Sequence, residues 1–221
     1  MADSVPPGFL YDPTTGRYYY KSNGKPVADR RIKELLAALI LAGSVRLGEL
    51  TTAFVEGRLA PSVWVEQTNT DLLRQHLILA ALGAGGWAQL TEDDYARVQS
   101  RMDEDRKKVA GTASDVLLGT ATLAVALARI NTYIGDARTQ FYSAQRSRIQ
   151  RSASNMVLLE RRILGNAQHC HDCIIYYNMG WQHVGTLPIP GMDSICGGNC
   201  RCDMIYIEVP AVEVGDWIGT M

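Results

Sequence analysis

Five cysteines gather near the end of this 221-residue chain, and none lies before them. All five fall between Cys170 and Cys202, within a terminal segment that we take as residues 165–221. A chain of this length buries roughly 70% of the surface of its unfolded state, so its core needs no disulfide framework. The cysteines therefore indicate a local chemical role in the terminal segment.

The spacing of these cysteines is typical of a metal site. Cys170 and Cys173 form a C-x2-C pair, and Cys196 and Cys200 form a C-x3-C pair across two glycines that allow a tight turn around a metal. Structural zinc takes four sulfur or nitrogen ligands in a tetrahedron, usually from two such pairs. The spacing predicts a zinc site with these four cysteines as ligands. Three further residues are alternative ligands: Cys202, His169 and His171.

Disulfides and free thiols are the two alternatives to a metal. Residues 1–8 have no basic start and no apolar stretch, so the sequence predicts no secretory signal. In a reducing compartment, clustered thiols bind metal more often than they form disulfides. Disulfides would suit a particle that leaves the cell. The terminal segment is short of apolar residues, and a structural zinc contributes on the order of 10 kcal/mol to the folding of small domains.

Residues 29–164 are predicted to be almost entirely helical. Apolar residues recur at i, i+3 and i+4 from Ile32 onward, as on the buried face of a helix, and Thr91 with Asp94 resembles an N-terminal capping box. The most apolar run, Val116–Ala128, is too short to span a bilayer and is interpreted as a buried helix. A last helical stretch is predicted from about Ile130 to Leu164.

Residues 1–28 are interpreted as a small β-hairpin arm. Short strand-like runs alternate with turn-forming strings, among them Asp12–Gly16 and the Asn23-Gly24 pair. Three short strands do not support themselves in water, so the arm is expected to lie on the helical body or on another subunit. The predicted fold is mainly α: a hairpin arm (1–28), a helical domain (29–164) and a cysteine-rich, zinc-ribbon-like α+β domain (165–221).

Charge is distributed unevenly, although the formal net charge is only −1. Residues 92–105 carry a net −4, and residues 129–162 carry a net +5 from seven arginines, Asp136 and Glu160. Each stretch is interpreted as a solvated helix face. For the arginine-rich stretch, the alternative is a docking surface for phosphates or an acidic partner. The candidate contact residues are Arg138, Arg146, Arg148, Arg151, Arg161 and Arg162.

The helical region also contains one histidine in an apolar setting. His76, between Leu72 and Leu79, is predicted to be a core histidine.

Motifs of known enzyme classes are missing from the sequence. There is no Gly-x-Ser-x-Gly elbow, Gly-rich phosphate loop or His-Glu-x-x-His helix, and the glutamate and Pro-Cys-x-x-Cys pair of zinc deaminases are also missing. Four or five thiolates favour a closed structural site over a catalytic one, which needs an open position. The sequence therefore predicts that the protein is not an enzyme.

Several motifs together resemble the C-terminus of tailed-phage head morphogenesis proteins, the Mu-type minor head protein family. They are the run Arg161–Gly165, the C-x2-C pair, Gly180-Trp181, Gly185-x-Leu187-Pro188, Pro190-Gly191 and Cys196-Gly-Gly-Asn-Cys-Arg-Cys202. The front half is also similar to phage structural proteins, for example in Tyr11–Tyr18 and Gly57–Trp64. The family's His-Pro before Asn-Cys-Arg-Cys is missing here, and Cys196 lies one position further upstream.

The resemblance implies a virion structural protein that acts in head assembly at the portal vertex or in the capsid shell. It implies as partners the portal protein, the major capsid protein or packaged DNA, in a homo-oligomeric or symmetric assembly without a membrane. The protein would be assembled in the host cytoplasm and reside in the virion head. The alternative is a zinc-stabilised nucleic-acid-binding protein that uses the arginine-rich helix, although Arg201 is the only Lys or Arg in the terminal segment.

Overall fold

Five α-helices follow one another between residues 29 and 152, which confirms the mainly-α prediction. A computed structural model describes residues 8–152 and 156–220. The expectation of no secretory signal rests largely on residues 1–7, which lie outside the described residues. The helices are α1 (Asp29–Val55), α2 (Pro61–Ala84), α3 (Glu92–Leu117), α4 (Leu123–Asp136) and α5 (Arg138–Ser152).

Helix α2 lies at the centre of the body and packs against α1, α3 and α5. Its Trp64, Leu72 and Leu79 are completely buried. His76 on the same helix is also completely buried, and its Nε2 lies 3.0 Å from Asp105 Oδ2 on α3. The prediction that His76 is a core histidine is therefore confirmed.

The start of α3 follows the sequence signal closely. Thr91 Oγ1 accepts a hydrogen bond from the backbone N–H of Asp94 at 3.3 Å, and Asp94 Oδ2 accepts one from the backbone N–H of Thr91 at 2.9 Å. The two residues satisfy backbone donors that the first turn of a helix leaves free. The predicted capping box is confirmed.

Helix α1 is long and apolar enough to cross a bilayer, judged by length and composition alone. Leu36, Leu47 and Phe54 of α1 are buried in the core of the body, while only 17% of its most apolar 18-residue stretch is buried. One side of the helix therefore packs in this fold.

The run Val116–Ala128 is not one buried helix, so that prediction is wrong. Helix α3 ends at Leu117 and α4 begins at Leu123, with Gly119 between them in the left-handed region at φ +71°. Leu117 and Leu118 are largely exposed. Two residues of the run mark the boundary: Gly119 turns the chain, and Thr122 caps the start of α4 because its Oγ1 accepts a hydrogen bond from the backbone N–H of Val125.

The predicted helix up to Leu164 is also wrong, because α5 ends at Ser152 and a strand follows. This strand, β3 (Val157–Ile163), is the centre of a three-stranded antiparallel sheet with the order β4-β3-β5. Strand β4 is Gln182–His183 and β5 is Asp203–Val209. Two short helices complete this part of the chain: α6 (His171–Asn178) and α7 (Val214–Trp217).

Other parts of the chain cover both faces of β3, so two of the charged residues of this strand are buried and do not mark an exposed surface. Leu159 packs with Trp181 and Val209 on one face. Glu160 and Arg162, which are completely buried, lie on the other face, since side chains alternate along a strand. The partners of these charges come from distant segments, so the local sequence does not reveal a strand.

The N-terminal arm lies on its own helical body, one of the two placements that the sequence left open. Strands β1 (Phe9–Asp12) and β2 (Arg17–Tyr20) form a hairpin, and the expected third strand is reduced to a single bridge between Tyr19 and Pro26. Tyr18 Oη donates a 2.7 Å hydrogen bond to the carbonyl oxygen of Leu82 at the end of α2.

The cysteine-rich segment is docked on α4 through a close approach of two backbones. A Cβ added at Gly135 of α4 would clash with the carbonyl oxygen of Gly198. A Cβ at Gly198 would lie 2.6 Å from Asp136 Oδ1. Gly198 was expected to help the chain turn around a metal, but the structure uses it mainly to seat the segment on the body.

We expect Gly135→Ala to lower the free energy of unfolding by about 1–3 kcal/mol, because the added methyl group forces the two backbones apart. Gly111→Ala in α3 is the matched control, since a Cβ there meets no atom within 4 Å. The control is expected to raise the free energy of unfolding by roughly 0.5–1 kcal/mol. Urea unfolding followed by tryptophan fluorescence measures both, and equal stabilities of the two variants would contradict the docking contact.

Candidate metal centre

All five cysteines converge on one place, which we call the cysteine cluster. Cys170 directly precedes α6, and Cys173 lies in its first turn. Cys196 and Cys200 flank a 3-10 turn over residues 197–199, and Cys202 directly precedes β5. The short helix and the turn therefore deliver thiols from two separate segments, as the paired spacing predicted.

The sulfur atoms form two groups that share Cys173. The ligand atoms of Cys170, Cys173 and Cys196 lie within 4.8 Å of one another, and so do those of Cys173, Cys200 and Cys202. Cys173 Sγ is 3.6 Å from Cys196 Sγ and 3.7 Å from Cys200 Sγ. The cluster is thus centred on Cys173.

These distances fit metal coordination. With a Zn–S bond of about 2.3 Å, two thiolates of a tetrahedral site lie about 3.8 Å apart. A disulfide would bring two sulfur atoms to about 2.05 Å, and all five cysteines here are free. The cysteine cluster can therefore bind a metal ion.

Five thiols take part in the cluster, one more than the predicted set of four. The four predicted ligands are divided between the two groups: Cys170 and Cys196 belong to the first, Cys200 belongs to the second, and Cys173 belongs to both. Cys202 completes the second group. Cys202, considered from the sequence as an alternative ligand, is completely buried there.

The two alternative histidines have different surroundings. His169 Nδ1 lies 3.5 Å from Cys202 Sγ, while its Nε2 lies 2.7 Å from the carbonyl oxygen of Gly165. A carbonyl partner on Nε2 leaves Nδ1 free to act as a metal ligand, an arrangement common around metal-binding histidines. His171 is exposed and belongs to neither thiol group among the described residues.

The thiols influence one another strongly. A hydrogen bond from the Cys202 thiol lowers the pKa of Cys200 to about 4, and the same bond together with burial raises the pKa of Cys202. Burial raises the pKa of Cys173 and of Cys196. Metal binding requires deprotonated thiols, and the cluster lowers the pKa of Cys170 as well as that of Cys200.

Two arginines predicted to contact a partner instead hold the terminal segment in place. Arg138 Nη1 donates to the carbonyl oxygen of Cys200 at 3.2 Å, and its Nη2 donates to Tyr142 Oη at 3.1 Å. Arg146 Nη2 donates to the carbonyl oxygen of Leu187 at 2.7 Å and pairs with Glu160 Oε2 at 3.0 Å.

Arg162 is completely buried beside the cluster, so the prediction that it contacts a partner is wrong. The stretch 138–162 is therefore not a single solvated face, because the terminal segment covers part of α5. Arg148 lies over the Tyr11 ring, Arg161 lies over the Tyr177 ring, and Arg151 is exposed. A partner contact by these three stays a prediction.

Glu160 is a structural residue that the sequence did not single out. Its Oε1 accepts hydrogen bonds from the backbone N–H groups of Gly185 and Leu187, at 3.0 and 2.8 Å. Burial raises the pKa of Glu160, and Arg146 opposes that shift. Glu160 and Arg146 together hold the loop at residues 185–187, which precedes Cys196 and Cys200 in the chain. Its position between Leu159 and Arg161 carries no recognisable motif.

We expect Cys173→Ser to reduce bound metal by roughly tenfold or more, because Cys173 belongs to both thiol groups and a hydroxyl is a poor ligand for a soft site. His171→Ala is the matched control, and it should retain the wild-type metal content. Elemental analysis of the desalted full chain measures both. Retention of the wild-type metal content by Cys173→Ser would remove Cys173 from the ligand set.

Comparison of the chain with known proteins finds no relative. No family model matches the chain, no curated protein matches it, and no solved structure matches it.

Proposed function

We propose that this chain is a minor structural protein of a tailed-phage head that acts in head assembly at the portal vertex or in the capsid shell. The cysteine motifs that resemble the Mu-type minor head family support the proposal, and so does the way these motifs are used in the fold. The proposed role is structural, not enzymatic. The proposed partners are the portal protein, the major capsid protein and packaged DNA.

The observation that carries the structural role is the burial of three of the five thiols of the cysteine cluster. Cys173, Cys200 and Cys202 are each 2% exposed or less, and Cys170 and Cys196 are half-buried. A catalytic metal site needs an open position for water or substrate, whereas a closed set of thiolates serves to hold a fold together. The proposed metal is zinc, held by Cys170, Cys173, Cys196 and Cys200, with Cys202 and His169 as alternative ligands.

A closed metal site would give the terminal segment the rigidity that an assembly component needs. The segment reaches the body through α4 at Gly135 and through α5 at Arg138 and Arg146. The zinc would join α6 to residues 196–202, and it would thereby hold in place the part of the segment that contacts α4 and α5. The helical body and this segment would then form one part with a fixed shape, which can repeat in a symmetric particle.

The nucleic-acid-binding alternative has less support from the contacts. Arg138, Arg146 and Arg162 donate to groups within the chain, which leaves fewer free cations on the proposed DNA-binding face. Salt-sensitive binding of the full chain to DNA, weakened by Arg148→Ala and Arg151→Ala, would favour this alternative instead.

The test of the proposed function uses the phage whose genome encodes the chain. We expect quantitative mass spectrometry to find the protein at a fixed copy number in purified particles, and deletion of its gene to lower the yield of intact heads. Complementation by the wild type or by Ser100→Ala, on the exposed surface of α3, should restore that yield, while Cys173→Ser should restore less. Absence of the protein from particles, or an unchanged yield after deletion, would overturn the proposal.

A further inference from the structure

Arg162 is a charged residue with no exposed surface. It lies on the inner face of β3, where its Nη2 donates to the carbonyl oxygen of Pro188 and its guanidinium lies 5.4 Å from the centre of the Tyr176 ring. Its Nη1 is 3.8 Å from Cys200 Sγ, and its Nε has no hydrogen-bond partner. The guanidinium therefore points at the cysteine cluster.

No carboxylate within the described ranges, 8–152 and 156–220, forms an ion pair with Arg162. Two other partly buried arginines do have such partners: Arg146 pairs with Glu160, and Arg101 pairs with Asp105 and Asp136. Burial of a charge is strongly unfavourable unless an opposite charge compensates it. A carbonyl oxygen and an aromatic ring compensate it only in part. Glu160, two positions away on the same face, is engaged by Arg146 and by two backbone N–H groups, so an anion in the cluster would add compensation that Arg162 otherwise lacks.

We infer that Arg162 is the buried counter-charge of an anionic metal–thiolate centre. This inference rests on the proposed metal site. A divalent ion held by three or four thiolates has a net charge of −1 or −2, so the cluster would supply the anion that Arg162 lacks. The N–H group beside Cys200 is placed to donate to a metal-bound thiolate, a contact that tunes and orients the ligand.

Cys200 is held on two sides by arginines from different elements. Arg162 of β3 approaches its sulfur atom, and Arg138 of α5 donates to its carbonyl oxygen. Arg162 also ties the cluster to the loop at Pro188, which lies next to Leu187 and its contacts with Glu160 and Arg146. Arg162 is thus a positioning residue that couples the metal centre to the strand and the loop around it.

The test compares Arg162→Met, which removes the charge, with Arg161→Met, the matched control on the adjacent position of β3. Zinc affinity of the full chain is measured by competition with a chromophoric chelator. We expect Arg162→Met to weaken zinc binding by roughly 10–100-fold, and Arg161→Met to leave it unchanged. Thermal unfolding with and without zinc should show a larger loss for Arg162→Met in the zinc-loaded form, because only the loaded centre needs the counter-charge.

A purely structural role would destabilise both forms equally and leave zinc affinity unchanged, and that result would overturn the inference. Should Arg162→Met fail to fold, Arg162→Gln also removes the charge but keeps an N–H donor. It should weaken zinc binding and shift the sulfur-to-metal charge-transfer band of the cobalt-substituted protein, and an unshifted band with unchanged affinity would overturn the inference. A wild-type chain that binds neither zinc nor cobalt would fail at the earlier step and overturn the proposed metal site as well.

Discussion

The convergence of five thiols on Cys173 is the interaction on which the C-terminal part of this structure depends. The sulfur of Cys173 lies within 4 Å of sulfurs from the 3-10 turn on the other side of the cluster. The apolar group that the C-terminal part buries by itself is small, around Leu159, Trp181 and Val209, while Met204 of β5 is buried in the core of the helical body. A core of that size gives little stability to a segment of this length, so the cluster has to hold α6 and residues 196–202 together.

The helical body and the C-terminal part share an apolar core, in which Leu187, Ile189 and Met204 cluster with Phe141 and Tyr142, and polar and backbone contacts join them as well. Arg138 and Arg146 donate to carbonyl oxygens of the C-terminal part, and Gly135 admits the backbone of Gly198. Such contacts are directional, and their net contribution to stability is modest unless every partner stays in place. Arg138 and Arg146 therefore keep their hydrogen-bond partners only while Cys200 and the loop at Leu187 stay in position.

The sequence predicted features whose signals are local. Helical periodicity, the Thr91–Asp94 capping box, the core position of His76 and the cysteine pairs all depend on residues a few positions apart. Strand β3 was missed because its partners are Gln182–His183 and Asp203–Val209, and because Glu160 and Arg162 appear solvent-facing to any local pattern. For the same reason the arginines of α5 were interpreted as one surface, since the segment that covers part of α5 lies far along the chain.

Hydrogen exchange of the full chain with and without a metal chelator tests the central claim most directly. If a metal in the cysteine cluster holds the C-terminal part together, chelation should remove backbone protection from β3, α6 and β5 while α2 keeps its protection. Unchanged protection of β3, α6 and β5 after chelation, in a protein that elemental analysis finds free of metal, would contradict the account.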